Sequence, residues 1–180
     1  MIEQRIFGKP LINPVDLQRR IRKLGHQISH DYVGKDLVLV GLLKGAFAFY
    51  ADLARAISIP LAVDFLVVTS GGSGTEGKKR VKMISDVTVD IAGRHVLLVE
   101  DIVDSGLTVT SLMKRLMGRK PASLKICAML DKPSRRKVDV KLDYVGFTIP
   151  NKYVIGFGLD YKDNYRNLPY LAVLDQLQVE

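Results

Sequence analysis

Residues 95–108 read HVLLVEDIVDSGLT. Val96, Leu97, Leu98 and Val99 form a short, wholly apolar run, the pattern of a strand covered on both faces as in a parallel sheet. Glu100 and Asp101 follow at its carboxyl end, then Asp104, then Ser105, Gly106, Leu107 and Thr108. Beyond them Leu112, Met113, Leu116 and Met117 recur on one helical stripe. A hydroxyl-and-glycine turn at a helix start leaves free N–H groups aimed at one spot, which favours a phosphate. Like charges a few ångströms apart repel by about 4 kcal/mol at an effective dielectric near 20. The three acids therefore need a partner such as a divalent metal or sugar hydroxyls. A ribose 5-phosphate, with a phosphate at one end and hydroxyls at the other, satisfies both demands. The plainer alternative is an acidic loop that caps the helix through Asp104 or Ser105. Three acids plus Ser-Gly-x-Thr after a buried strand favour the ligand.

The rest of the composition fits this setting. A chain of 180 residues suffices for one domain with a real core. Hydrophobic residues at 47% and charged residues at 26% describe an ordinary globular protein. The longest apolar run, around Leu37 to Leu43, is too short to span a bilayer, and Met1 to Pro10 lacks the apolar stretch of a signal peptide. A cytoplasmic protein without a membrane partner is expected. The single cysteine, Cys127, excludes an intrachain disulfide and a cysteine-based zinc site; in the apolar run Leu124 to Leu130 it reads as a buried, inert thiol. With 27 basic and 19 acidic residues the net charge is +8, which suits polyanionic small substrates or nucleic acid without choosing between them.

Along the chain, Asn13-Pro14 reads as an N-cap with proline at the first helical position. Leu17, Ile21, Leu24 and Ile28 then mark an amphipathic helix of roughly 18 residues, ended by Gly34. Arg19, Arg20, Arg22 and Lys23 fall mostly off its apolar stripe and read as a solvated face rather than a nucleic-acid patch. Leu37 to Leu43 is the first core strand, followed by Leu43-Lys44-Gly45 and a helical stripe of Phe47, Tyr50, Ala54 and Ile57. A glycine and a lysine at such a junction can hold a pyrophosphate, or can be a helix entry with an exposed lysine.

Leu61 to Thr69 is a second strand, leading into Ser70 to Lys79, rich in glycine and serine. Gly72-x-Gly74-x-x-Gly77 mimics a dinucleotide fingerprint, and Gly72-x4-Gly77-Lys78 mimics a P-loop. Lys79 stands where a P-loop needs Ser or Thr, and both motifs require a helix to follow. Val87, Val89 and Ile91 instead alternate with strand periodicity, so a mobile lid is the better reading. Ser123 to Leu130 is a further strand, with Lys132 just past its end. Asp143 to Ile149, Tyr153 to Leu159 and Tyr170 to Leu174 read as short strands. Tyr153 can stack on a flat base, and Val154 can offer backbone groups to a base edge. Asp160 and Arg166 flank a tyrosine-rich turn where a salt bridge is the default.

The run Val99 to Thr108 resembles the signature of the type I phosphoribosyltransferases, and from about Leu37 onward the chain is similar to the 6-oxopurine branch of that family. The resemblance implies a three-layer α/β fold with a mainly parallel central sheet. The core would span about residues 35–147, under a small hood built from about 1–12 and 148–180. It implies transfer of the phosphoribosyl group of phosphoribosyl pyrophosphate to hypoxanthine or guanine, giving IMP or GMP, with Mg2+ as cofactor. It assigns Asp104 as the base that takes the purine proton. Glu100 and Asp101 would hold the ribose, and Ser105 to Thr108 the 5′-phosphate. Leu43, Lys44, Gly45 and Arg166 would hold pyrophosphate, and Lys132, Tyr153, Val154 and Asp160 the purine. Glu100, Asp101 and Asp160 would surround the metal. Lys132 would donate to the 6-oxo group and so disfavour adenine. A homodimer or homotetramer is implied by the family alone. One departure stands out: bacterial relatives carry Ser-Tyr-Gly where this chain has Ser70-Gly71-Gly72. A transferase specific for xanthine or a pyrimidine, or a nucleotide-sensing regulator of the same fold, remains open.

Overall fold

The computed structural model describes residues 10–70 and 81–174. The anticipated lid and both glycine-motif mimics lie almost wholly outside the described residues.

Helix α1 spans Pro14–Asp31. Asn13 caps it by accepting from the Asp16 N–H at 2.9 Å, and Pro14 sits where no intrahelical N–H is needed. The helix stops at Tyr32, two residues before Gly34 with φ +71°. Leu17, Ile21, Leu24 and Ile28 are buried as the periodicity predicts. Arg20 departs from the expected solvated face. Its guanidinium donates to the carbonyls of Val145 and Gly146, the latter at 2.9 Å, and so ties α1 to the far edge of the sheet.

Strand β1 is Leu37–Leu43, followed by α2, Phe47–Ala56, and β2, Leu61–Ser70. On α2 the buried face is Phe49, Tyr50 and Leu53, whereas Phe47 is exposed. Here the expected stripe is partly corrected, because Phe49 and Leu53 face the sheet in place of Phe47. The next strand, β3, is Val81–Ser85. It is a strand that follows the glycine-rich segment, not the helix either nucleotide motif requires. Val87, Val89 and Ile91 are not in a strand. The Asp64 carboxylate takes the N–H groups of Thr88 and Val89 at 2.6 and 2.8 Å, so a side chain satisfies donors that a ladder would otherwise use.

Strand β4, His95–Val103, leads into α3, Leu107–Met117, and β5, Ser123–Asp131. A short 3-10 turn, Pro133–Arg135, precedes β6, Tyr144–Thr148. On α3 the buried face is Val109, Leu112 and Leu116, with Met117 exposed against expectation. The six strands form one sheet in the order β3-β2-β1-β4-β5-β6, parallel except for β3 at the edge. Their alternation sorts the core. Leu37, Leu39, Leu97, Val99, Cys127 and Met129 pack toward α1 and α2, whereas Val38, Val40, Val96, Leu98, Ile126 and Ala128 pack toward α3. The result is a three-layer α/β fold. Cys127 is buried, as expected.

Above the strand ends, β7 (Val154–Ile155) pairs antiparallel with β8 (Ala172–Val173). These are shorter than the strands anticipated over 153–159 and 170–174. A turn with Gly156, Phe157 and Gly158 at positive φ interrupts the first. Ile12 bridges Leu171, N–H to carbonyl in both directions, so the described start of the chain joins this upper layer. Among the described residues no helix is long and apolar enough to cross a membrane.

Candidate active site

Strands β1 and β4 are neighbours, but their onward connections leave in opposite directions, to β2 on one side and β5 on the other. That divergence opens a crevice at the carboxyl ends of the two strands. The β1–α2 turn, residues 43–45, and the β4–α3 turn, residues 104–106, both lie there.

A cavity of about 220 Å³ is lined by Leu42, Glu100, Asp101, Asp104 and the turn through Ser105, Gly106 and Thr108 to Val109. Gly106 caps α3 with φ +84° and makes no side-chain cap hydrogen bond; apart from a long 3.4 Å contact from the Leu107 N–H to Ser105 Oγ, the helix start offers its N–H groups to a ligand. A Cβ at Gly106 would press on Val138 and Val140 at 3.0 Å, so both conformation and space require glycine.

Glu100 is buried, and burial followed by the charge of Asp101 pushes its carboxyl well above the ordinary range. Burial pushes Asp101 up to about 6, opposed by the Ile102 N–H and, further out, by Arg166. Two neighbouring acids whose ionised forms are disfavoured by burial gain from a bound hard cation, which stabilises the carboxylates. Among the described residues no three acids or other metal ligands converge into a ready-made metal site, so the expected set of Glu100, Asp101 and Asp160 is not assembled: Asp160 is drawn to Arg166, and two carboxylates remain. That fits magnesium, which is commonly held by one or two carboxylates with substrate phosphates and water.

The raised value has a consequence for the free protein. A carboxyl whose folded pKa exceeds its unfolded value destabilises the fold once ionised, so stability falls as pH rises from about 4 to about 6 and stays lower above. One pKa unit corresponds to about 1.4 kcal/mol, discounted here because Asp101 is partly exposed. Asp101→Asn is expected to raise the melting temperature of chelator-treated protein at pH 7.5 by roughly 3–6 °C. The gain should vanish near pH 4. No gain at pH 7.5 contradicts the burial strain.

Gly45 meets Asp101 directly: a Cβ there would overlap Asp101 Oδ2 and lie 2.6 Å from the carboxyl carbon. The peptide between Leu43 and Lys44 is cis. Lys44 Nζ is 3.6 Å from Asp163 Oδ1, and Arg166 lies 3.5 Å from the same oxygen. Arg166 also pairs with Asp160 at 2.7 Å, the default salt bridge of the sequence, and donates to Gly158 O at 2.8 Å. The two cations expected at pyrophosphate thus meet through Asp163, which the sequence reading did not single out. Lys162, Asp163 and Tyr165 all have positive φ, so backbone strain gathers in the loop that carries Asp160 and Arg166.

A second cavity, about 330 Å³, is lined by Ile102, Asp104, Lys132, Arg135, Tyr153, Val154 and Asp160 among others. Lys132 is buried, and its Nζ donates to Lys152 O at 2.9 Å. Burial lowers its pKa, and the Asp104 carboxylate opposes that shift. Tyr153 is exposed, with its hydroxyl donating to Asp160 O at 3.0 Å and its ring edge-on to Tyr161. Asp104 lines both cavities. Its Oδ1 lies 2.9 Å from Arg135 Nε yet has no hydrogen-bond partner. The sequence reading missed Arg135; the basic run Asp131-Lys-Pro-Ser-Arg-Arg-Lys137 at the end of β5 was the available signal.

The mainly parallel sheet and the acids beside a helix start in its crevice agree with what the resemblance to the type I phosphoribosyltransferases implies. A family model described as the phosphoribosyl transferase domain matches residues 15–162. A hypoxanthine-guanine phosphoribosyltransferase of Streptococcus pneumoniae is 46% identical over 98% of this chain and 97% of its own. A hypoxanthine phosphoribosyltransferase of Salmonella typhimurium is 48% identical over 90% and 92%. A Staphylococcus aureus hypoxanthine phosphoribosyltransferase structure, 42% identical, superposes with a TM-score of 0.91 over 97% of this chain and 95% of that one. The chain belongs to the phosphoribosyltransferase family, within its hypoxanthine-guanine branch.

Proposed function

We propose that this protein salvages purines by transferring the phosphoribosyl group of phosphoribosyl pyrophosphate to hypoxanthine or guanine, giving IMP or GMP and pyrophosphate. The single observation that carries this reading is the place of Asp104 in the wall common to both cavities. A base there reaches a purine on one side and the sugar on the other.

As pyrophosphate leaves, positive charge builds on the ribose ring, and catalysis needs a held sugar, a stabilised leaving group and an acceptor for the purine proton. The N–H groups and hydroxyls of Ser105, Gly106, Leu107 and Thr108 bind the 5′-phosphate. Glu100 and Asp101 hold the ribose hydroxyls and would hold magnesium together with pyrophosphate oxygens and water, with Asp160 joining only by leaving its ion pair with Arg166. Magnesium, when bound, neutralises charge on the pyrophosphate oxygens. The Leu43-Lys44-Gly45 turn and Arg166 bind pyrophosphate, exchanging contacts now made to Asp163 and Asp160. Asp104 takes the purine proton. Tyr153 stacks on the base, Val154 offers backbone groups to its edge, and Lys132 donates to the 6-oxo oxygen. Core and hood boundaries near 35–147 and near 1–12 with 148–180, a homodimer or homotetramer, and a cytoplasmic location go with this reading.

Lys132 supplies a selective test. Its ammonium is a donor only, so it favours an oxo over an amino substituent. Lys132→Met is expected to raise the KM for hypoxanthine by about 10–100-fold, since a site built to hydrogen-bond its substrate loses most when that bond is removed. An unchanged KM takes Lys132 out of base recognition. The reading as a whole is tested by nucleotide formation from hypoxanthine and the donor with magnesium, abolished by chelator.

A further inference from the structure

Three consecutive carbonyls at the end of β4 are held from behind by the segment that follows β5. Arg136 Nη1 donates to Asp104 O at 2.8 Å and to Val103 O at 3.2 Å, the latter also accepting from the Lys132 N–H at 3.0 Å. The Lys137 N–H donates to Ser105 O at 2.9 Å. Arg136 Nη2 pairs with Asp131, the last residue of β5, and both side chains are largely buried. The same segment packs on Gly106, where a Cβ would lie 3.2 Å from Arg136 Cδ.

In a trans peptide the C=O of one residue and the N–H of the next point in opposite directions. Fixing the carbonyls of Val103, Asp104 and Ser105 toward Arg136 and Lys137 therefore turns the N–H groups of Asp104, Ser105 and Gly106 the other way. That is away from the 136–137 segment, and these three residues line the phosphate cavity. Resting on the proposed activity, we infer that Arg136 is a positioning residue of this reaction. Its side chain holds the Asp104 carbonyl and so orients the Ser105 N–H, between peptides held by the Lys132 and Lys137 N–H groups, and fixes the backbone from which Asp104 reaches the purine.

A guanidinium can bridge two carbonyls and a carboxylate in one plane, whereas an ammonium is a point charge that meets Asp131 alone. Arg136→Lys is therefore expected to keep a melting temperature close to wild type while kcat falls about 10–100-fold, the effect of a catalytic group displaced by about an ångström. Affinity for ribose 5-phosphate, measured by calorimetry, should fall at least about tenfold. Asp131→Asn removes the ion pair but leaves the carbonyl contacts, and is expected to lower the melting temperature with kcat within about threefold of wild type.

Arg136→Lys with wild-type kcat and ribose 5-phosphate affinity overturns the inference. So does Asp131→Asn losing kcat as fully as Arg136→Lys, because the ion pair alone then accounts for the effect. Wild-type protein without turnover refutes the proposed activity instead, and the ribose 5-phosphate measurement still decides on Arg136.

Discussion

Asp104→Asn is expected to lower nucleotide formation by about 10²–10⁴-fold, the usual worth of a general base, with IMP affinity little changed. Asparagine keeps the size of the side chain and loses the ability to accept a proton from the purine. The position is demanding. Asp104 borders both cavities, its Oδ1 is buried without a hydrogen bond, and its backbone carbonyl is held at 2.8 Å by Arg136. The nearby Arg135 forms an ion pair with Asp104 at 2.9 Å. Rate measurements under saturating substrates, paired with IMP titration, separate proton transfer from binding. Near-normal turnover would remove Asp104 from the role.

The second large effect falls on Gly45. Its Cα faces the Asp101 carboxylate so closely that any Cβ overlaps Oδ2, while across it Gly158, at φ +101°, packs on the Gly45 carbonyl. Gly45→Ala therefore cannot relax toward Gly158 and must displace Asp101 or the turn itself. Asp101 lines the open cavity, so the acid can leave its place while the fold survives. A displacement of about an ångström near the reacting centre costs on the order of 10²-fold. We expect that loss in kcat/KM for phosphoribosyl pyrophosphate, with the melting temperature within a few degrees of wild type. Activity close to wild type would mean that Asp101 does not need its observed position.

Much of this was legible in the sequence, for identifiable reasons. Helix α1 carried its own cap, its proline and a repeat of four aliphatic residues, each a local signal. The β4–α3 unit was legible because a doubly buried strand, an acidic end and an uncapped turn sit in one continuous stretch. Where contacts are long-range, sequence periodicity misled. Val87, Val89 and Ile91 alternate as a strand does, but the Asp64 carboxylate takes the N–H groups of Thr88 and Val89. Arg20 sits off the apolar stripe of α1, yet its guanidinium finds the exposed carbonyls of β6. Arg135, Arg136 and Asp163 belong to no periodic pattern; only folding places them beside Asp104, the phosphate turn and Lys44. Strand β7 ends at Ile155, short of the apolar alternation over 153–159, because Gly156 to Gly158 turn the chain at positive φ.

One assay bears most directly on the central claim. The protein is incubated with phosphoribosyl pyrophosphate and magnesium, and nucleotide formation is followed in parallel with hypoxanthine, guanine, xanthine, adenine and uracil. The account predicts product from hypoxanthine or guanine and none from adenine. No product from any base, despite measurable binding of the donor, would contradict it and make the site one for nucleotide sensing.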